Sequence, residues 1–233
     1  MAAVAYYISD DPHRPTFIHY SEFGIDIPAD YRIHGIDVSR HQKNISWKDV
    51  KEMKIKNIQI DFAFLKATEG TDLADEKYRA NISAARKAGI ITGAYHYFIG
   101  SSSGKAQAVH FLETADLKKG DLPPVLDTET TNGASLTDLQ QRLEDWLLIV
   151  GKKYRTKPII YTNINFYNTF LAGRFDGYPL WIAHYLQKEK PRIERNWTFW
   201  QHNETGNVNG IRTRVDFNVF NGDSLAFQKL LLK

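Results

Sequence analysis

A chain of 233 residues, 42% apolar and 24% charged, can bury one substantial hydrophobic core, and its length fits one domain better than two. Its formal charge of +3 comes from Lys and Arg that are spread along the chain and balanced by acidic residues, which argues against a nucleic-acid-binding surface. The absence of cysteine excludes a disulfide framework, a thiolate metal site and a cysteine nucleophile.

The first 32 residues are rich in Pro, His, Asp and Tyr and lack a sustained hydrophobic period. This composition predicts an arm or spacer that lies on the domain and is not a domain of its own. The apolar start is short and has no basic residues ahead of it, so it is not an intact signal peptide, and the sequence contains no transmembrane run. We therefore expect any leader or membrane anchor to lie outside this sequence.

From residue 33 to residue 233, short β-branched or aromatic runs alternate with helical stretches, which is typical of βα units around a parallel sheet. The predicted strands are residues 33–38, 60–67, 90–98, 124–128, 158–162, 180–185, 198–201 and 215–218. Since no Gly-rich phosphate turn follows the first strand, the pattern favours a single-domain, TIM-like α/β barrel over a doubly wound sheet.

Three helices are predicted between these strands, at residues 76–87, 102–114 and 136–150. The third has apolar residues at three- and four-residue steps, and Ser135 precedes it as an N-cap. Gly89 follows the first, where a left-handed glycine ends many helices. Beyond residue 161 the helices shorten and the strands crowd together, so we expect the second half of the barrel to be irregular.

Acidic residues close three of the predicted strands. Asp37 ends the first strand, Asp127 and Glu129 end the fourth, and Asp216 ends the eighth. Because functional groups of a barrel collect where its strands end, we expect these four carboxyl groups to line one cleft. Side-chain alternation places Asp127 and Glu129 on the same side with Cα atoms about 6.5 Å apart. Such a pair supplies the protonated acid and the ionised carboxylate of glycoside hydrolysis, although this spacing fits both retaining and inverting enzymes.

Aromatic residues and histidines lie near the same strand ends. The aromatic residues are Tyr95, Tyr97, Tyr161, Trp181, Tyr185 and Trp200, and for each of them core packing is at least as common a role as stacking on a sugar. The histidines are His41, His96, His184 and His202, which with Asp37 offer a mono-metal hydrolase as an alternative. They show no recognisable ligand spacing, and no Gly-x-Ser-x-Gly elbow supports a serine hydrolase, so we predict neither metal nor cofactor.

Eight segments between about Gly35 and Phe220 follow one another with a recognisable pattern and ordinary spacing. They are Gly35-Ile-Asp-Val-Ser39, Lys66-Ala-Thr-Glu-Gly70, Gly93-Ala-Tyr-His-Tyr97, Leu126-Asp-Thr-Glu129, Tyr161, Trp181-Ile-Ala-His-Tyr185, Trp200-Gln201 and Val215-Asp216. These segments resemble glycoside hydrolase family 25, the Chalaropsis-type lysozymes or N-acetylmuramidases. Residues 1–32 lie outside the resemblance.

The resemblance implies a (β/α)5(β)3 barrel with five helices and three late antiparallel strands. It implies hydrolysis of the β-1,4 bond between N-acetylmuramic acid and N-acetylglucosamine, retaining and assisted by the substrate acetamido group. Glu129 then looks like the general acid/base, Asp127 like the residue that stabilises the intermediate, and Asp37 and Asp216 like flanking acids. The residues that we expect to bind substrate are Lys66, Glu69, Tyr97, Tyr161, Trp181, Tyr185 and Gln201.

Two other functions stay open. A chitinase-like barrel also has acids at alternate positions of strand four, but its acidic run is longer, whereas Pro124, Val125 and Leu126 precede Asp127 here. A non-catalytic glycan-binding module would keep the aromatic groove, although the intact carboxyl pair argues against it. For a muramidase we expect a monomer acting on peptidoglycan glycan strands, outside the cell or in the cell envelope, including the periplasm.

Overall fold

The computed structural model describes residues 16–185, 187 and 189–233, so the first 15 residues of the predicted arm lie outside the described part. The strands are β1 (Phe17–Tyr20), β2 (Ile25–Pro28), β3 (His34–Val38), β4 (Lys54–Ile55), β5 (Ile58–Glu69), β6 (Leu73–Ala74), β7 (Ile91–Tyr97), β8 (Val125–Asp127), β9 (Ile159–Asn163), β10 (Leu180–Ala183), β11 (Phe199–Gly206) and β12 (Val215–Phe220). The helices are α1 (Trp47–Glu52), α2 (Tyr78–Lys87), α3 (Gly104–Thr114), α4 (Leu136–Tyr154), α5 (Ile164–Phe166), which continues as a π-helical turn over Tyr167–Leu171, and α6 (Ser224–Leu230).

Eight strands close into a barrel in the order β3, β5, β7, β8, β9, β10, β11 and β12, because β12 pairs with β3 and β3 pairs with β5. Helical segments follow the first five of these strands, and the described residues between the last three strands form no helix. The predicted TIM-like α/β barrel with an irregular second half is therefore confirmed.

The strand directions correct one expectation. Among the last three strands only β12 runs antiparallel to the rest of the barrel, while β10 is parallel to β9 and β11 is parallel to β10. The connection between β10 and β11 spans residues 184–198, which is long enough to return the chain to the other end of the barrel. The connection between β11 and β12 spans only residues 207–214, and these two strands therefore pair antiparallel.

The local signals that predicted the helices are present in the structure. The hydroxyl oxygen of Ser135 accepts a hydrogen bond from the backbone N–H of Asp138 at 3.1 Å, which caps α4. Gly89 has a φ of +80° just beyond α2, as the predicted left-handed end requires. No helix in the described part of the chain is long and apolar enough to span a membrane.

The barrel interior is filled with aromatic side chains, and its N-terminal end is closed by α6. The ring of Phe64 stacks on Trp181 with centroids 4.5 Å apart. Phe227 of α6 lies 5.7 Å from Phe62 and 5.0 Å from Phe220, measured between ring centroids. Because this end is packed, the space for a ligand lies at the opposite end, where the parallel strands terminate.

The strands β1 and β2 form an antiparallel hairpin that covers β11 and β12, where none of the helices given above shields the barrel. Phe17 packs edge-on against Trp200 with ring centroids 5.9 Å apart, and Phe23, which is 0% exposed, packs against Phe217 at 5.4 Å. The hairpin thus supplies apolar cover that helices supply elsewhere, a role that its irregular sequence did not predict. The proposed boundary at residue 33 stays a prediction.

Candidate active site

A cleft of about 280 Å³ opens at the C-terminal ends of the parallel barrel strands. It is lined by Asp37, Lys66, Tyr95, Tyr97, Asp127, Glu129, Tyr161, Trp181, Tyr185, Gln201, Glu204 and Asp216. The structure therefore brings together the four acids that the sequence singled out. The expectation that Asp216 ends its strand is wrong, because Asp216 lies at the start of β12, which runs antiparallel and so begins at the rim where β3 and β8 end.

The backbone of β8 and of the two residues that follow it directs Asp127 and Glu129 into this cleft. Asp127 is the last residue of the strand, and its carbonyl accepts a hydrogen bond from Phe98 N–H at 2.8 Å. Thr128 N–H then donates to the carbonyl of Tyr161 at 3.0 Å, so sheet-like pairing continues one residue further and Glu129 returns to the cleft side. Asp127 is 6% exposed, and its Oδ1 atom has no hydrogen-bond partner among the described residues.

We call Asp127 and Glu129 the carboxyl pair. Because Asp127 is buried and Glu129 is partly buried, ionising both carboxyl groups at the same time is energetically unfavourable. Burial raises the pKa of Asp127 well above its usual range, and the charge of Glu129 raises it further while Lys66 opposes the shift. Burial also raises the pKa of Glu129, against a hydrogen bond from Asp127 and the charge of Lys66. Both shifts favour a protonated carboxyl group within the pair, and one retained proton is the state that acid-assisted bond cleavage needs.

Asp37 is held by an amide network on the far side of the cleft. Its Oδ2 atom accepts a hydrogen bond from Gln201 Nε2 at 2.8 Å. The Oε1 atom of Gln201 in turn accepts from the hydroxyl groups of Tyr161 at 2.7 Å and Tyr185 at 2.6 Å. These partners fix the orientation of the Gln201 amide, because its oxygen must face the two hydroxyl groups and its nitrogen the carboxylate.

Asp216 faces Asp37 directly across the antiparallel pair of β3 and β12. Burial raises the pKa of Asp37 to about 6, although hydrogen bonds from Asn218 and Gln201 oppose the shift. Burial, followed by the charge of Asp37, raises the pKa of Asp216 to about 9. The two carboxyl groups therefore titrate as a pair, and burial together with their mutual repulsion favours one shared proton between them.

The structure separates the predicted substrate-binding residues into two groups. Lys66, Tyr97, Tyr161, Trp181, Tyr185 and Gln201 line the cleft, whereas Glu69 is not among its lining residues. Trp181 and Gln201 are only 2% and 3% exposed, so they mainly support the wall. The carboxylate of Glu69 instead binds the ammonium group of Lys66, at 2.6 Å.

Two polar residues of the site had no sequence assignment. Asn218 donates to Asp37 at 2.7 Å and accepts from the indole N–H of Trp181 at 2.8 Å. Its position two residues after Asp216, on the same face of a predicted strand, could have indicated it. Glu204 lies beyond the predicted end of its strand, where two irregularities in the pairing of β11 with β12 break the alternation, so no periodic signal marked it.

The histidines do not gather in the cleft, and Trp200 does not line it. His96 lies behind the wall, with its ring nitrogens 2.7 Å from Thr68 Oγ1 and 3.1 Å from Gln107 Oε1. His202 is buried in the outer core, and His41 is exposed in a short 3-10 helix, Arg40–Gln42. In residues 16–185, 187 and 189–233 no three His, Asp or Glu side chains form a group that could hold a metal ion.

Comparisons with known proteins place the chain in a family. The family model described as glycosyl hydrolases family 25 matches residues 36–211. The chain is 46% identical over 220 residues to YegX, an uncharacterized protein of Escherichia coli K12, with 94% of this chain and 81% of the relative covered. It is 37% identical over 214 residues to lysozyme M1 of Streptomyces globisporus, with coverages of 84% and 71%.

A solved family 25 glycosyl hydrolase from Bacillus anthracis has a similar fold. It superposes with a TM-score of 0.80 at 30% sequence identity, covering 94% of this chain and 99% of that chain. The matched span includes four of the five acids that line the cleft, and the structural match extends over nearly the whole chain. The protein therefore belongs to glycosyl hydrolases family 25.

Proposed function

We propose that this enzyme is a lysozyme that hydrolyses the β-1,4 bond between N-acetylmuramic acid and N-acetylglucosamine in peptidoglycan. The main support is the carboxyl pair, buried yet open to a cleft, in a chain of this family. Lysozyme M1 and the N,O-diacetylmuramidase of Arthroderma benhamiae, the latter 26% identical over 206 residues, are relatives whose names agree with this reaction.

In the proposed mechanism the carboxyl pair shares one proton before substrate arrives. An acetamido N–H of the substrate donates to Asp127 and favours its ionised form, which leaves the proton on Glu129. Glu129 then protonates the departing glycosidic oxygen while the acetamido oxygen attacks the anomeric carbon and forms a cyclic intermediate. Water opens this intermediate as Glu129 takes its proton, and two inversions give net retention.

Asp37 and Asp216 act as flanking groups in this mechanism. With a pKa of about 6 for Asp37, its carboxylate adds negative charge near the developing oxocarbenium ion at neutral pH. Asp216 keeps its proton in the same range, which avoids a second adjacent charge and orients the Asp37 carboxylate.

The location and assembly state follow from the substrate and the cleft. Peptidoglycan lies outside the cytoplasm, so we place the enzyme outside the cell or in the cell envelope, including the periplasm. We propose a monomer, because one chain supplies every residue that lines the described cleft.

The bond that is cut can be identified by mass spectrometry of fragments from digested cell walls. A muramidase leaves a reducing muramic acid end, and we expect these fragments from the wild-type enzyme but not from Glu129→Gln. Reducing glucosamine ends, or activity on chitin without activity on peptidoglycan, would contradict the proposal. Binding to cell walls without released reducing ends would instead identify a glycan-binding module.

The roles within the carboxyl pair can be separated with two isosteric variants. Glu129→Gln removes the transferable proton, so natural substrate should be cut about a hundred- to ten-thousand-fold more slowly. An aryl glycoside with a good leaving group should restore the first step in this variant. The same aryl glycoside should not restore the activity of Asp127→Asn, because this substitution weakens stabilisation of the cyclic cation. Equal restoration of both variants, or restoration of Asp127→Asn alone, would show that the roles are assigned wrongly.

A further inference from the structure

Among the described residues that line the cleft, Lys66 is the one with a cationic side chain, and five are acidic. Its ammonium nitrogen lies 2.6 Å from Glu69 Oε2 and 4.9 Å from the centroid of the Tyr97 ring. The two charged side chains are largely buried, with 16% of Lys66 and 32% of Glu69 exposed. Contacts on two sides therefore hold the cation at one place in the wall.

Several charged and titratable groups lie near this cation or line the same cleft. The carboxyl pair faces it from β8 and the residues that follow, and Tyr97 and His96 face it from β7. His96 is neutral, since burial lowers its pKa to about 3. Asp37, Glu204 and Asp216 line the cleft as well, from β3, β11 and β12. Among these neighbours Glu69, on the same strand, is the one in direct ionic contact with Lys66.

An ammonium group fixed beside two buried carboxyl groups favours their ionised forms, and a carboxylate bound to that ammonium weakens the effect. We propose that Lys66 and Glu69 form a positioning pair that sets the pH range over which Asp127 and Glu129 together hold one proton. The positive charge of Lys66 stabilises the single negative charge of the carboxyl pair. The carboxylate of Glu69 weakens this effect, so that the carboxyl pair keeps its remaining proton. The link to activity rests on the proposed function, because it requires that this proton be the catalytic one.

Two substitutions should move the pH–activity profile in opposite directions. Lys66→Met keeps the aliphatic stem but removes the charge, so the alkaline limb, where the acid loses its proton, should move to higher pH by about one unit. Glu69→Gln keeps the shape but leaves the ammonium unneutralised, so the same limb should move to lower pH. A purely structural role would lower kcat in both variants without moving the limb.

An exposed pair on α1 offers a matched control. Lys48 and Glu52 lie 3.8 Å apart, with side chains 80% and 64% exposed, and neither lines the cleft. Lys48→Met and Glu52→Gln should leave the profile unchanged. An unmoved limb in Lys66→Met, or a limb that moves upward in Glu69→Gln, would overturn the inference.

Direct titration of the carboxyl groups by carbon NMR separates this inference from the proposed function. With labelled Asp and Glu side chains, the titration of the carboxyl pair should shift upward in Lys66→Met and downward in Glu69→Gln. If these titrations shift while the activity profile does not, the positioning pair stands and the catalytic assignment of the carboxyl pair fails. If the titrations do not shift, the positioning pair fails, whatever the activity. Thermal melting of each variant confirms that the folded protein is being measured.

Discussion

Acid should destabilise this protein through histidines that are buried outside the cleft. His202 is 4% exposed, and neither of its ring nitrogens has a hydrogen-bond partner in the described part of the chain. Its ring packs against Trp200 and Phe217, the two residues that also contact the N-terminal hairpin. Burial, and to a lesser degree the neighbouring His34, lowers the pKa of His202 from 6.5 to about 3.

The direction in which pH changes the stability follows from proton uptake on unfolding. The unfolded chain binds a proton at this histidine below pH 6.5, whereas the folded chain does not until about pH 3. Stability is therefore lost as the pH falls from 6.5 towards 3, by about 1.4 kcal/mol per pH unit. Between pH 7 and pH 5 the loss from His202 amounts to about 2 kcal/mol.

Urea unfolding at pH 7 and pH 5, followed by tryptophan fluorescence, measures this contribution. We expect His202→Phe to reduce the difference in unfolding free energy between the two pH values by about 2 kcal/mol, because the titrating group is gone. Because the substitution is present at both pH values, any pH-independent change in packing cancels from the difference between them. His41→Phe, at an exposed position, is the matched control and should leave the difference unchanged. An equal pH dependence in wild type and His202→Phe would refute the reasoning.

Two further expectations concern the hairpin and the chemistry. Phe23→Ala removes a fully buried ring that joins the hairpin to β12. It should lower the urea-derived unfolding free energy by about 3–5 kcal/mol, whereas a loss below about 1 kcal/mol would show that the hairpin is not part of the cooperative fold. Hydrolysis of cell walls should persist in excess chelator, since carboxyl groups suffice for the reaction; loss of activity that zinc restores would contradict the carboxyl mechanism.

Local sequence patterns determined the elements of the barrel and its principal acids. The apolar spacing of α4 with Ser135 ahead of it, and Gly89 after α2, depend on neighbours within a few residues of the chain. Asp127 and Glu129 could be assigned to one side of the barrel because alternation along an extended chain is a property of the backbone itself. The family motif then supplied their expected roles.

Tertiary structure alone decided how these elements meet. The direction of β10 and β11, the cover provided by the hairpin, and the place of Glu204 depend on loop geometry and on irregular strand pairing. The network from Tyr161 through Gln201 to Asp37 joins residues that are far apart in the chain, and no short-range pattern records such contacts. The proton affinities of the acids also depend on the tertiary structure, since burial and neighbouring charges exist only after the chain has closed into a barrel.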